Sequence, residues 1–267
     1  MKTLSKCSLG LLSLACAGML SAQDVISLAA PADFGQPKQV IPSEGSFLVK
    51  GRVTLLRSVK FITLDPAKKY QISGEFCMKG GKPNRVYLGF MPFDDKGSWI
   101  PPKLVNGTNA TLTEVVADAK KGDQVIKVKD ASKWNTKTLY SHLALGAKAD
   151  YSDLPNRDLI ATAKPNAQQK DGVWEILLKK PLKKDVPAGT TVRQQLDGGA
   201  YIYTAGSVIL TDQWVTRKGT ISGIAKFGNP GGKMWKGTAK VKVLILLTEG
   251  DQTSETLFRN IKVTEVK

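Results

Sequence analysis

Histidine is almost missing from the 267-residue chain, with His142 the single example. That excludes an HExxH zinc site and any centre built on several imidazoles. A Ser-His-Asp triad would have to use His142, yet no Gly-x-Ser-x-Gly elbow occurs. Gly219-Thr-Ile-Ser-Gly223 carries its serine one place late and inside an expected strand. His142, within Leu139-Tyr-Ser-His-Leu143, therefore reads as a packing or surface residue. There is no Gly-x-Gly-x-x-Gly fingerprint and no P-loop. Cysteine is scarce too, and the only ones are Cys7, Cys16 and Cys77. With no His or Cys cluster, redox-metal chemistry is not expected. Helical periodicity is lacking: no segment beyond the first 22 residues keeps an apolar i, i+3, i+4, i+7 stripe over three turns. Long apolar runs are lacking as well. The longest beyond the start, Val241 to Leu247, has the length of a strand and not of a membrane helix.

What is present begins with an export signal. Lys2 and Lys6 precede a short apolar run from Leu9 to Leu20, and Ser21-Ala22 supplies small residues before Gln23. This is the layout of a secretory signal peptide spanning 1–22, with cleavage after Ala22, so the chain is expected to be secreted or periplasmic. Cys16 raises a lipoprotein alternative. It is the weaker one, because Ser13 stands where such a signal carries leucine. Loss of the leader removes Cys7, Cys16 and two lysines, lowering the formal charge of +16 by two. Cys77 then stands alone, so no internal disulfide can hold the fold and burial must do so. Within Ile72-Ser-Gly-Glu-Phe-Cys-Met78 it reads as a small buried residue.

Alternating apolar and polar residues, bounded by Gly, Pro, Asn and Asp, predict strands near 46–53, 59–63, 70–78, 85–92, 124–128, 143–145, 174–178, 191–195, 201–204, 214–223, 240–247 and 257–264. In the last, Leu257, Arg259, Ile261 and Val263 are expected on one face, with Phe258, Asn260, Lys262 and Thr264 on the other. Many short strands with turns between them give an all-β, antiparallel β-sandwich of the jelly-roll kind. Residues 110–199 differ in texture, being rich in Lys, Asp and turns such as Asp118–Asp123 and Pro187–Thr190. They are expected to form a small inserted β subdomain, with 24–109 plus 200–267 building the sandwich. Insertion at a loop is tolerated because the loop ends lie close together. One continuous β domain with long hairpins is the alternative.

Four motifs in order carry a resemblance: Tyr70-Gln-Ile-Ser-Gly-Glu-Phe76, Val86-Tyr-Leu-Gly-Phe-Met-Pro-Phe-Asp-Asp-Lys-Gly97, Trp214-Val-Thr-Arg-Lys-Gly-Thr-Ile-Ser-Gly223 and Thr256-Leu-Phe-Arg-Asn-Ile-Lys-Val263. The chain resembles the galactose-binding-like jelly roll of carbohydrate-binding modules, of the family 4/9 type. The resemblance covers the outer parts and not 110–199. It implies a sandwich and a non-catalytic module that binds carbohydrate. Such folds also serve as structural parts, so function does not follow from fold alone.

Sugar binding uses flat aromatic faces against pyranose C–H surfaces. The aromatic candidates are Trp99, Trp134, Trp174, Trp214 and Trp235, with Tyr87, Tyr140, Tyr151, Tyr201 and Tyr203. Trp99 and Trp235 lie in Gly-, Pro- and Lys-flanked loops and are the candidate platforms, with Tyr87 and Tyr203 on expected strands; Trp174 and Trp214 open apolar strands and are expected in the core. The rival reading is an enzyme on the same scaffold. A glycosidase needs two carboxylates, and Glu75 and Glu175 lie in strands, while Asp94-Asp95 reads as a turn. A polysaccharide lyase would use Tyr, Lys or Arg. Ala200–Gly206 resembles the tyrosine strand of alginate lyases, but their Arg-rich strand and Gln-x-His motif are absent. A structural envelope or matrix protein is a third reading. No organic cofactor is expected. Asp150, Asp153 and Asp158, with Asn156, offer oxygens for a structural calcium ion, against an Asx-rich turn as the simpler account. The lysines around 120–137 and 179–184 point to carbohydrate or another polyanion as partner, with no nucleic-acid motif and no transmembrane segment.

Overall fold

The computed structural model describes residues 23–51 and 54–267. The expected signal peptide lies outside the described residues. The strands are β1 (Gln23–Leu28), β2 (Ile41–Ser43), β3 (Ser46–Lys50), β4 (Thr54–Arg57), β5 (Lys69–Gly80), β6 (Arg85–Phe93), β7 (Thr113–Glu114), β8 (Val125–Val128), β9 (Ser141–Leu145), β10 (Leu159–Lys170), β11 (Val173–Leu178), β12 (Thr191–Leu196), β13 (Ser207–Ile209), β14 (Val215–Ser222), β15 (Lys240–Thr248) and β16 (Glu255–Val266). They form three antiparallel sheets. No helix among the described residues is long and apolar enough to cross a membrane.

Two sheets make the sandwich. One runs β14-β5-β16-β3-β2, with β1 beside the second half of β16; the other runs β13-β6-β15-β4. Strands β3 to β6 and β13 to β16 alternate between the two sheets, which is the winding of a jelly roll. The inner faces bury Leu56, Ile72, Phe76, Leu88, Phe90, Val243, Ile245, Phe258 and Ile261 in one core. Alternation along β6 and β15 puts Val86, Leu88 and Phe90, and Val241, Val243 and Ile245, inward. β16 departs from its expected phase. Phe258, not Leu257, joins Ile261 and Val263 in the core, because a register shift between Arg259 and Lys262, with Asn260 at φ 55°, inserts an extra residue.

The third sheet lies wholly in the inserted segment, in the order β7-β12-β9-β10-β11-β8. Its ends meet. Val115 bridges Val128, the Val116 N–H donates to the Lys127 carbonyl (3.0 Å), and the Lys129 N–H donates to the Glu114 carbonyl (2.9 Å). A sheet joined end to end leaves no open edge at that seam. It encloses its own core of Val115, Ile126, Val128, Leu143, Ile176 and Val192. The entering and leaving chains pair with each other: Gly107 bridges Gln195, and the Leu196 N–H donates to the Asn106 carbonyl (3.1 Å).

Some expected strands differ. The segment 59–63 holds only an isolated bridge at Ile62, and β4 lies just before it. The twelve-residue β10 falls where no alternating strand is expected. Cys77 is buried and free, and burial pushes its thiol pKa up.

Candidate functional site

The outer face of the four-stranded sheet carries the most ligand-like surface. In-register partners share a face, so Arg57, Leu244 and Gly89 lie together there. Leu55, Leu246 and Tyr87 form the next row, and Lys242 faces Met91. Beside β6 the chain 201–203 adds a short extension. Phe90 and Ile202 exchange two hydrogen bonds at 2.9 Å, and Ile202 is wholly buried. With Ile202 inward, Tyr201 and Tyr203 turn to the outer face.

The rings make one continuous row. Tyr87 and Tyr203 have centroids 4.7 Å apart, Tyr203 and Tyr201 are 6.1 Å apart, and Tyr201 and Trp99 are 5.8 Å apart. All lie within aromatic-pair range. Trp99 is held by its bridge to Phe93, and 36% of its surface is exposed. Past Trp99 the row opens into a hollow of about 630 Å³ lined by Pro102, Lys103, Asp197, Gly198 and Tyr140, the residue just before β9. Burial, reinforced by its tyrosine neighbours, pushes Tyr203 up to about 12. Burial also raises Tyr201, against the nearby Arg57. Both phenols therefore stay protonated near neutral pH, each with an O–H to donate and a ring face to offer.

Three of the four leading aromatic candidates, Trp99, Tyr87 and Tyr203, come together on this face. Trp235 does not. It is 0% exposed within the sandwich core, with its indole N–H donating to the Pro230 carbonyl (3.2 Å), so it offers no face to a ligand. Its Gly- and Pro-rich surroundings are the turn that folds it inward. Trp214 moves the other way. Expected in the core, it is exposed, with the Arg259 guanidinium 4.1 Å from its ring centroid. Tyr201 and Tyr140, two more of the aromatic candidates, join the site. The Tyr-Ile-Tyr spacing, with an apolar residue between two aromatics, was the available signal for Tyr201.

The carboxylates are engaged elsewhere. Asp153 is buried against Arg193 (2.7 Å) and accepts hydrogen bonds from Asn156 (3.1 Å) and the Lys148 N–H (3.0 Å). Burial disfavours its ionisation, but these donors outweigh that and hold its carboxyl below the usual carboxylate range. Asp158 pairs with Lys184 at 2.6 Å, and Asp150 accepts from the Ser152 N–H at 3.0 Å. Instead of converging on one point as an oxygen cage, the three calcium candidates cap turns and close ion pairs. Among the described residues no group of three or more His, Cys, Asp or Glu side chains could hold a metal ion. Glu75 lies in the sandwich against Arg259 (2.7 Å), while Glu175, in the inserted sheet, accepts from Gln168 (3.1 Å). They do not form a facing pair. Asp94 sits in the expected turn and accepts from the Ser98 N–H (2.7 Å).

A second hollow, of about 640 Å³, lies on the inserted sheet, floored by Leu159, Ile160 and Leu182 and rimmed by Lys179, Lys180, Lys183 and Lys184. It has no aromatic side chain in its lining.

No protein-family model and no curated protein matches the chain. Among solved structures, a chain described as "CBM4 structure and function" is 11% identical, over 85% of this chain and 77% of that one, at a TM-score of 0.30.

Proposed function

We propose that the protein is an exported, non-catalytic carbohydrate-binding module whose ligand lies along the row Trp99, Tyr201, Tyr203 and Tyr87, with residues 110–199 as a subdomain that walls one end of the site. The observation that carries this reading is the row itself, four rings with neighbouring centroids 4.7 to 6.1 Å apart on one sheet face. Sugars offer flat C–H faces at intervals along a chain, and a row of rings matches them. The leader-like residues 1–22 support export. The lyase alternative fares poorly here. A tyrosine base needs a depressed pKa, and Tyr203 is pushed the other way.

Affinity electrophoresis against a panel of polysaccharides tests the reading. Trp99→Ala and Tyr201→Ala should each weaken retention by about five- to thirtyfold, the effect of removing about 1–2 kcal/mol of anchor contact. Both side chains are partly exposed, so circular dichroism should stay unchanged. If no polysaccharide retards the protein, or if both variants migrate as the wild type does, the reading is wrong.

A further inference from the structure

Beside the aromatic row the same sheet face gathers positive charge without acid to match it. Lys240 and Lys242 project from one face of β15, and Arg57 lies on that face one strand away. The two ammonium groups sit 4.8 and 4.5 Å from the centroid of a single ring, Phe61, which packs edge-on against Phe93 at 5.0 Å. Phe93 in turn bridges Trp99, so the cations adjoin the row at its Trp99 end. Arg57 reaches the row separately, near enough to Tyr201 to oppose the rise in its pKa.

Among the described residues none of Arg57, Lys240 and Lys242 has a carboxylate within ion-pair distance. The acidic turn Asp94-Asp95 is engaged elsewhere: Asp94 pairs with Arg157 at 2.7 Å, and Asp95 accepts from the Lys96 N–H at 2.9 Å. Like charges held together on a half-buried face repel one another. Burial first, and Arg57 second, pull the Lys242 ammonium below the usual lysine range. An anion placed among the three cations would relieve that repulsion. The lysines on the second hollow differ, because Lys184 is already paired with Asp158 and Lys179 donates to the Leu139 carbonyl (3.1 Å).

We infer that the ligand of this face is an anionic polysaccharide, its pyranose faces on Trp99 and Tyr201 and its carboxylate or sulfate groups on Arg57, Lys242 and Lys240. The inference rests on the carbohydrate-binding reading above and adds the class of sugar. A guanidinium matches the two oxygens of a carboxylate or sulfate in a fork, and an ammonium supplies a point charge. Net charge alone would give a different pattern, spread over the whole basic surface and screened beyond about 8 Å at physiological salt.

Titration of the full-length mature protein against polygalacturonate, dextran sulfate and neutral dextran tests it, with two charge-matched double variants. Arg57→Gln/Lys242→Gln removes two charges from the site, and Lys180→Gln/Lys183→Gln removes two from the second hollow. The site variant should lose at least tenfold in affinity for an anionic polymer and show a shallower salt dependence. The control should stay within twofold. Preference for polygalacturonate would assign the charge to carboxylates, and preference for dextran sulfate to sulfates. Equal losses in the two double variants would overturn the inference, leaving bulk charge as the cause. So would binding to dextran as tight as to both anionic polymers. A site variant that keeps full affinity while Trp99→Ala loses it would also overturn the inference and leave the module reading intact. Absence of all binding would sink both.

Discussion

Arg193 and Asp153 form the most deeply buried ion pair among the described residues. Asp153 stands in Asp150-Tyr-Ser-Asp-Leu-Pro-Asn-Arg-Asp158, which reads as an oxygen-rich loop, and Arg193 stands in a strand forty residues away. Together they form an ion pair whose side chains are 2% and 6% exposed. A pattern of oxygens does not show which cation they face, and here the cation is a guanidinium from the same chain. Breaking a buried pair leaves one charge uncompensated. Asp153→Asn should therefore cost about 3–5 kcal/mol in urea unfolding at neutral pH. The depressed carboxyl gives stability that is whole above its ordinary value of 3.8 and is lost as pH falls through the lower, folded value. A loss under 1 kcal/mol in the variant would show that the pair contributes little. His142 gives a second, separable pH effect, because no other histidine exists to confuse it. Burial draws its pKa below the usual 6.5, with Asp197 pushing the other way. Folding thus favours the neutral ring, and stability should drain as pH drops below 6.5 towards the lower, folded value. His142→Gln should flatten that part of the melting-temperature profile; parallel profiles would refute it. Cys77 was legible at this scale, since a lone small thiol in an apolar strand has little else to do. Trp235 was not, because loop composition alone cannot say whether a turn folds its aromatic inward or outward.

At the scale of elements, long alternating strands were readable and short or bulged ones were not. β5, β6 and β15 bury every second residue strongly enough to show in the sequence. β16 shows its length but hides its phase, because a single bulged residue at Asn260 exchanges the two faces halfway along. The 201–206 segment gains its position from two glycines that act through space, not through left-handed backbone. A Cβ on Gly89 would strike the Ile202 carbonyl, and one on Gly219 would strike the Thr204 carbonyl. Arg217 then fastens the segment by donating to the Ala205 carbonyl. Gly219 therefore seats Tyr201 and Tyr203 without touching a ligand. Gly219→Ala should destabilise the fold by about 1–3 kcal/mol, the usual cost of overpacking, and weaken polysaccharide retention alongside. Gly80→Ala, where nothing lies within 4 Å, is the matched control and should change neither. Equal behaviour of the two variants would show that the close approach at Gly219 does not position the tyrosine row.

For the whole molecule, composition sets residues 110–199 apart, but neither the closed sheet β7-β12-β9-β10-β11-β8 nor its contacts with the other two sheets follow from composition. Charge and turn frequency mark a different surface, whereas ring closure depends on which strand ends meet. The loop 150–158, which carries the calcium candidates Asp150, Asp153 and Asp158, also packs against the sandwich. Tyr151 stacks on Phe227 of the sandwich with centroids 4.5 Å apart and planes 13° from parallel. Arg157 reaches Asp94 at 2.7 Å, and the Asn156 N–H donates to the Leu104 carbonyl at 2.8 Å. A side chain at Gly237 would meet the Pro155 ring, so the surfaces fit closely there. The exposed Arg157–Asp94 pair contributes about 0–1 kcal/mol, and the aromatic stack about 0.5–1.5 kcal/mol beyond its buried area. Two cores joined by a neck and this clasp, with Leu159 of β10 also packed against the sandwich core, should unfold together only while the clasp holds. Phe227→Ala should therefore do more than lower the melting temperature. Calorimetry of the wild type should show one transition with equal calorimetric and van't Hoff enthalpies, and the variant should show a broadened or doubled one. Because Tyr140, just before β9, and Trp99 beside β6 line one hollow, the same variant should also weaken ligands that span it. A single sharp transition in Phe227→Ala, merely shifted, would mean that the neck alone couples the two cores.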